Sequence, residues 1–242
     1  MTTTGNNGRL GNQIIRNLAV SLIAKKHNLN VNYYNKDLIS KLGINLFSGD
    51  NIYKNTIKLT DDNYFDIYYS KKLNYNLEPN NNFFQTKNIS NFLYNYLNND
   101  KIKNNIILNN PYKRRYNRNN DLFIHIRLSD VSKYNPGIKY YIKAIKHIFY
   151  DNIYISTDEK NHDIIIKLLE LYPNAILINF DEIPTIQFAS TCTNIILSHG
   201  TFSTIIGYLA FYSNIYYPEY EIDKIWYGDT FSIDNWIKVK YK

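Results

Sequence analysis

The stretch DLFIHIRLSD, residues 121–130, reads as a buried strand that stops abruptly in charge. Leu122, Phe123, Ile124 and Ile126 are strand formers, and the apolar run is too short and too rich in branched and aromatic residues for a helix. At its carboxyl end come His125, Arg127 and Asp130. Open α/β sheets bind ligands outside the carboxyl ends of their strands. A guanidinium there suits a phosphate, because its planar fork donates two parallel hydrogen bonds. Taken alone, an Arg127–Asp130 ion pair capping the strand explains the same charges.

Beyond this strand the chain alternates between helix and strand. The spacing predicts a helix over 138–149 with Tyr141, Ile145, Ile148 and Phe149 on one side, then strand 152–156 ending in Thr157, Asp158 and Glu159. Helix 161–171, strand 175–179, a short helix over 182–191, strand 194–197, a helix to about 212 and strand 215–217 complete the series. Strands separated by helical stretches of roughly 10–15 residues indicate a parallel sheet. The tail, 219–242, holds Trp226 and Trp236 and is expected to dock as a helix or loop. Upstream, a short strand within 1–4, a glycine turn, a helix over 11–27 and strand 30–34 open a similar α/β unit. In that helix Leu10, Ile14, Ile15, Leu18, Ala19, Leu22 and Ile23 share one face. A helix over 37–47, β-prone pieces at 56–59 and 64–69, a strand end at 83–85 and helical spacing over 89–97 fill the rest. The polar, basic segment 109–120 reads as a solvated linker, giving an acceptor-side domain over 1–118 and a second domain over 119–242.

The 242 residues are 44% hydrophobic and 20% charged, enough for a packed core and against global disorder. A net charge of +7 fits phosphorylated ligands, but a solubilising lysine-rich surface is the default reading. One cysteine, Cys192, excludes an internal disulfide and a thiol metal site, which suits a reducing, cytoplasmic setting. No run approaches the ~20 apolar residues of a membrane span, and no signal peptide opens the chain. The five histidines show no metal-ligand spacing. The basic and aromatic cluster 112–118 is too short for a nucleic-acid groove. Asp158–Glu159 could hold a divalent cation, but a lone acidic pair at a strand end reads more simply as a solvated turn. Ser198 and His199, being adjacent, are expected to point apart.

Two further stretches carry site chemistry. LSHGTFST, residues 197–204, ends a buried strand and starts a helix. Its free N–H groups and positive dipole end make an anion site, with Ser198, Thr201, Ser203 and Thr204 as added hydroxyls; ordinary N-capping is the plainer alternative. GRLGNQ, residues 8–13, has two glycines three apart at a helix start, which allows a tight loop beside a ligand.

GRLGNQ at 8–13, HIRLSD at 125–130 and LSHGTFST with IIGYLAF after it together resemble the three motifs of the α-1,2-fucosyltransferase family, in order. Phe84–Gln85, Ser156–Thr157–Asp158 and Trp226–Tyr227–Gly228 are weaker echoes. The resemblance implies a GT-B-type fold, two Rossmann-like domains facing a cleft, and an inverting transferase that needs no metal or other cofactor. Its donor would be GDP-fucose and its acceptor a glycan hydroxyl, with no nucleic-acid partner and no integral membrane segment. It would make Arg127 the β-phosphate ligand. His125 and Asp130 would shape the nucleotide pocket; Ser198, Thr201, Phe202 and Ser203 would meet the donor; Arg9 and Asn12 would face the sugar across the cleft. Departures are Leu128 and Ser129 for the usual Arg and Gly, Ile205 and Ile206 for two tryptophans, and Gly200–Thr201 for Ser–Ser. Leu128 removes a cation, which bears on the base and sugar and leaves transfer of another deoxyhexose, or binding without transfer, as alternatives. Asp37, Asp66 and Glu78 are equal candidates for the general base.

Overall fold

A computed structural model describes residues 1–220 and 228–241; Trp226 and Tyr227 lie outside these. The second half is built on a six-stranded parallel sheet. Its strands are β5 (Leu122–Ile126), β6 (Ile153–Thr157), β7 (Ile176–Leu177), β8 (Asn194–Ile196), β9 (Asn214–Pro218) and β10 (Ile237–Val239). They lie in the order β10-β9-β8-β5-β6-β7. The first strand of the set therefore sits in the middle, and the chain winds outward from it in both directions. Such a sheet has a topological switch point between its two central strands, here β5 and β8, where their carboxyl ends open a crevice.

Alternation along β5 sorts the two faces. Leu122, Ile124 and Ile126 join Tyr140, Tyr141, Ala144 and Ile145 of α6 (Ile138–Ile145) and Ile165 and Leu168 of α7 (Asp163–Leu171). Phe123, one residue out of phase, packs with α8 (Glu182–Ala189) and α9 (Thr201–Leu209) on the other face. A strand buried on both sides carries an unbroken apolar run, as the sequence has it.

The first half holds β1 (Thr2–Thr3), β2 (Val31–Asn32), β3 (Thr56–Lys58) and β4 (Asn76–Glu78), with β1 parallel to β2 and β3 parallel to β4. The Leu77 N–H donates to Thr2 Oγ1 at 2.8 Å, which ties β4 to β1. The helix α1 (Leu10–His27) was expected to bury one face. Instead Arg16, Asn17, Val20 and Ser21 are buried with the predicted stripe. The reason is position: α1 packs against three helices, α9, α3 (Tyr64–Tyr69) and α4 (Lys87–Leu97). One continuous apolar core, from Leu10 through Phe123 to Trp236, joins residues of both halves. The intervening helices are α2 (Lys36–Ser40) and α5 (Asp100–Asn109).

Several expectations fail, each for a tertiary reason. Tyr64–Tyr69 is helical, not β: the Tyr64 hydroxyl donates to Ala19 O at 3.0 Å, and its ring packs among Phe65, Phe84 and Phe92. Residues 83–85 form no strand; Phe84 takes φ 55°, in the left-handed region. Helix α6 stops at Ile145, so Phe149 is 91% exposed. The segment 109–120 is not a solvated linker. Arg115 pairs with Asp121 at 2.7 Å and stacks on Phe188, while Asn110 and Tyr116 are buried. The end of the tail adds β10 to the sheet edge and buries Trp236. Among the described residues no helix is long and apolar enough to cross a membrane.

Candidate functional site

The switch point brings the two charged stretches together. Arg127 leaves the carboxyl end of β5, and the chain after β8 turns through Ser198, His199 and Gly200 into α9. Gly200 precedes the first turn at φ 86° and, having no side chain, leaves its N–H groups uncapped. Two cavities meet here. The larger, about 380 Å³, is lined by Arg9, His125, Arg127, Asp158, Glu182 and Phe202, among others. The smaller, about 270 Å³, is lined by Asn12, Phe83, Asp130, Val131, His199 and Thr201 together with Arg9, Arg127 and Phe202, which belong to both. A still larger cavity, about 650 Å³, lies in the first half beside Lys25, Tyr96 and Leu108, shares no residue with these two, and lacks any predicted site residue.

The glycines of GRLGNQ explain how the first half reaches this place. Gly8 has φ 80°, a conformation that costs other residues energy. At Gly11 a Cβ would stand 2.6 Å from the Thr201 carbonyl carbon and 2.7 Å from the Phe202 nitrogen. Hydrogen at that position is what lets α1 lie against the start of α9. Asn12 then bridges the contact: its Oδ1 accepts from Thr201 Oγ1 at 2.9 Å and from Gln85 Nε2 at 2.8 Å.

Two arginines and two aspartates cross at the mouth. Arg127 pairs with both Asp130 and Asp158. Arg9, two-thirds exposed, reaches Asp130 at 3.2 Å and Asp158 at 3.9 Å. Asp158 also accepts the Leu128 N–H at 2.8 Å through Oδ1. The solvated-turn reading of Asp158 is therefore wrong: it anchors the turn that carries Arg127. Burial, and then the neighbouring Arg9, push the Arg127 pKa down, while Asp130 holds it up; guanidinium remains charged throughout.

Behind the mouth is a buried polar layer. His125 Nδ1 lies 2.6 Å from Ser203 Oγ. Ser198 Oγ accepts from Tyr141 at 3.0 Å and lies 3.3 Å from His199 Nδ1, so the adjacent pair does not point apart. Burial, with Arg127 next in effect, lowers the His125 pKa to about 3 and that of His199 to about 4. Both imidazoles are thus neutral at physiological pH, and they add no charge to the two arginines.

Of the predicted site residues, Arg9, Asn12, His125, Arg127, Asp130, Thr201 and Phe202 line the crevice. Ser198 and Ser203 are fully buried behind it and reach it through His199 and His125. The hydroxyls of Thr201 and Ser203 are engaged within the protein rather than capping α9. The base candidates Asp37, Asp66 and Glu78 are exposed and line neither cavity. No protein-family model matches the chain, and no curated protein matches it significantly. Sequence reasoning passed over Phe83, Phe180, Asp181 and Glu182 at the crevice and read Asp158 as a solvated turn. The part played by Asp158 follows from strand order, which sets the end of β6 beside Arg127 and is not written in the sequence. Among the described residues no group of three or more His, Cys, Asp and Glu side chains is arranged to hold a metal ion.

Proposed function

We propose that this chain is a metal-independent, inverting glycosyltransferase of the fucosyltransferase kind, moving fucose from GDP-fucose to a glycan hydroxyl in α-1,2 linkage. In this reading residues 1–118 and 119–242 are two Rossmann-like domains facing each other across the crevice. The observation that carries it is the convergence of Arg127, Arg9 and the uncapped start of α9 at the switch point of the sheet.

The chemistry rests on that convergence. An acceptor hydroxyl attacks the anomeric carbon as the sugar–phosphate bond breaks; its proton passes to water, and negative charge collects on the departing diphosphate. Donors already fixed around that charge stabilise the transition state more than the ground state. Arg127 supplies the fork, Arg9 a second cation from the opposite wall, and α9 its N–H groups and positive dipole end. Asp130 and Asp158 pair with the two arginines, so a diphosphate at the fork competes with these carboxylates. The larger cavity takes the nucleotide, the shared residues Arg9, Arg127 and Phe202 meet the diphosphate and sugar, and the smaller cavity receives the acceptor.

A second reading is donor binding without transfer. Leu128 favours it: where the resemblance calls for a second arginine, the side chain is wholly buried in the apolar cluster under α6. One experiment separates the two. GDP, UDP, dTDP and their sugars are screened for a rise in melting temperature, since a ligand of the folded state must stabilise it. The best donor is then offered a panel of glycan acceptors. Stabilisation with turnover supports the transferase, stabilisation without turnover the binder, and no stabilisation by any nucleotide removes both.

A further inference from the structure

We infer that Phe83 is a stacking platform for a C–H face of the acceptor; this rests on the transferase reading above. Phe83 stands on the first-half wall of the smaller cavity, which Arg127 and the start of α9 also line. An aromatic face takes up C–H groups, whereas the hydroxyl rim of a sugar needs polar partners. Asn12, Arg9 and Asp130 line the same cavity and supply those partners.

The loop carrying Phe83 is held from several sides. Arg16, fully buried, lies 5.2 Å from the ring centroid. Its Nε donates to Asn82 O at 3.1 Å and its Nη1 to Gly5 O at 3.0 Å, while Nη2 has no hydrogen-bond partner among the described residues. No carboxylate pairs with Arg16 among the described residues. Burying a guanidinium without a counter-charge is costly. On the far side of the ring's own loop, Phe84 adopts φ 55°, an outlier for a bulky side chain. Asp61 holds it there, accepting the Phe84 N–H at 2.9 Å. Gln85 then donates to Asn12, which ties the loop to α1 and α9. Strain of this kind persists where the surroundings over-determine it, commonly at ligand clamps. The assembly acts as a frame that fixes one aromatic ring beside the crevice.

The test uses the whole chain with methyl β-D-galactopyranoside, whose H3, H4 and H5 share one face. Saturation is transferred from the aromatic protons of the protein to the sugar by NMR, without donor present. Wild type should label H3, H4 and H5 above the other ring protons. Phe83→Trp should keep that labelling, and Phe83→Ala should reduce it roughly fivefold. The GDP-induced rise in melting temperature is measured on the same samples and should be equal in all three, which shows Phe83→Ala to be folded. Equal labelling in Phe83→Ala and wild type, or no labelling in wild type, overturns the inference. Sugar labelling that depends on Phe83 in a protein GDP does not stabilise would leave the platform standing and remove the donor reading instead.

Discussion

Replacing Gly11 by alanine tests whether the contact between α1 and α9 builds the crevice. The added methyl would meet backbone, the Thr201 carbonyl carbon at 2.6 Å and the Phe202 nitrogen at 2.7 Å. To reach the 3.4 Å of an ordinary contact the start of α9 must retreat by roughly 0.8 Å. Backbone cannot swing aside as a side chain does, so the cost is that of overpacking, about 1–3 kcal/mol. Alanine's better helix propensity returns at most about 1 kcal/mol, and less in a first turn. The expected net loss is about 1–2 kcal/mol, read as a lower urea midpoint with unchanged slope. The same retreat pulls Thr201 from Asn12, now 2.9 Å away, and moves the α9 N–H groups from Arg127. GDP affinity should fall about tenfold in consequence. A Gly11→Ala protein as stable as wild type, with undiminished GDP binding, would refute the argument.

Asp158→Ala should cost about 1–3 kcal/mol, because it leaves the Leu128 N–H without its acceptor and Arg127 with Asp130 as its one remaining carboxylate among the described residues; Asp158→Asn, which keeps an acceptor, should recover part of that in urea unfolding. Stability should also fall in acid. His125 and His199 have folded pKa values near 3 and 4, below the ordinary 6.5. Between those values and 6.5 the unfolded chain binds protons that the folded chain refuses, so stability is full above about pH 6.5 and declines as pH drops, by about 1.4 kcal/mol per unit for each histidine. Urea midpoints between about pH 4.5 and 8 check this, and His125→Gln should roughly halve the slope.

The second half was largely legible because its strands are buried on both faces and read as apolar runs separated by helical spacing. Their order was not legible. No residue in 121–130 says that β8 rather than β7 will lie beside β5, and the switch point depends on that order. Asp158 reads as a plain turn residue for the same reason, since its value depends on being the strand end next to Arg127. In the first half, aromatic residues misled. Tyr64–Tyr69 has strand-like composition, but its rings pack among those of Phe84 and Phe92, and tertiary contacts overrode propensity. Phe83–Gln85 looks like a strand end because nothing in the sequence announces that Asp61 will hold Phe84 at positive φ. The glycine motif was more legible, since Gly8 and Gly11 are needed by backbone geometry that can be stated atom by atom.

The most direct test of the central claim is a calorimetric titration of GDP into wild type and Arg127→Ala. Hydrogen bonds to charged groups contribute about 1.5–3 kcal/mol, so removing the fork should weaken GDP binding by roughly 10- to 100-fold, with Arg127→Lys in between. Equal affinity in all three proteins would contradict the account.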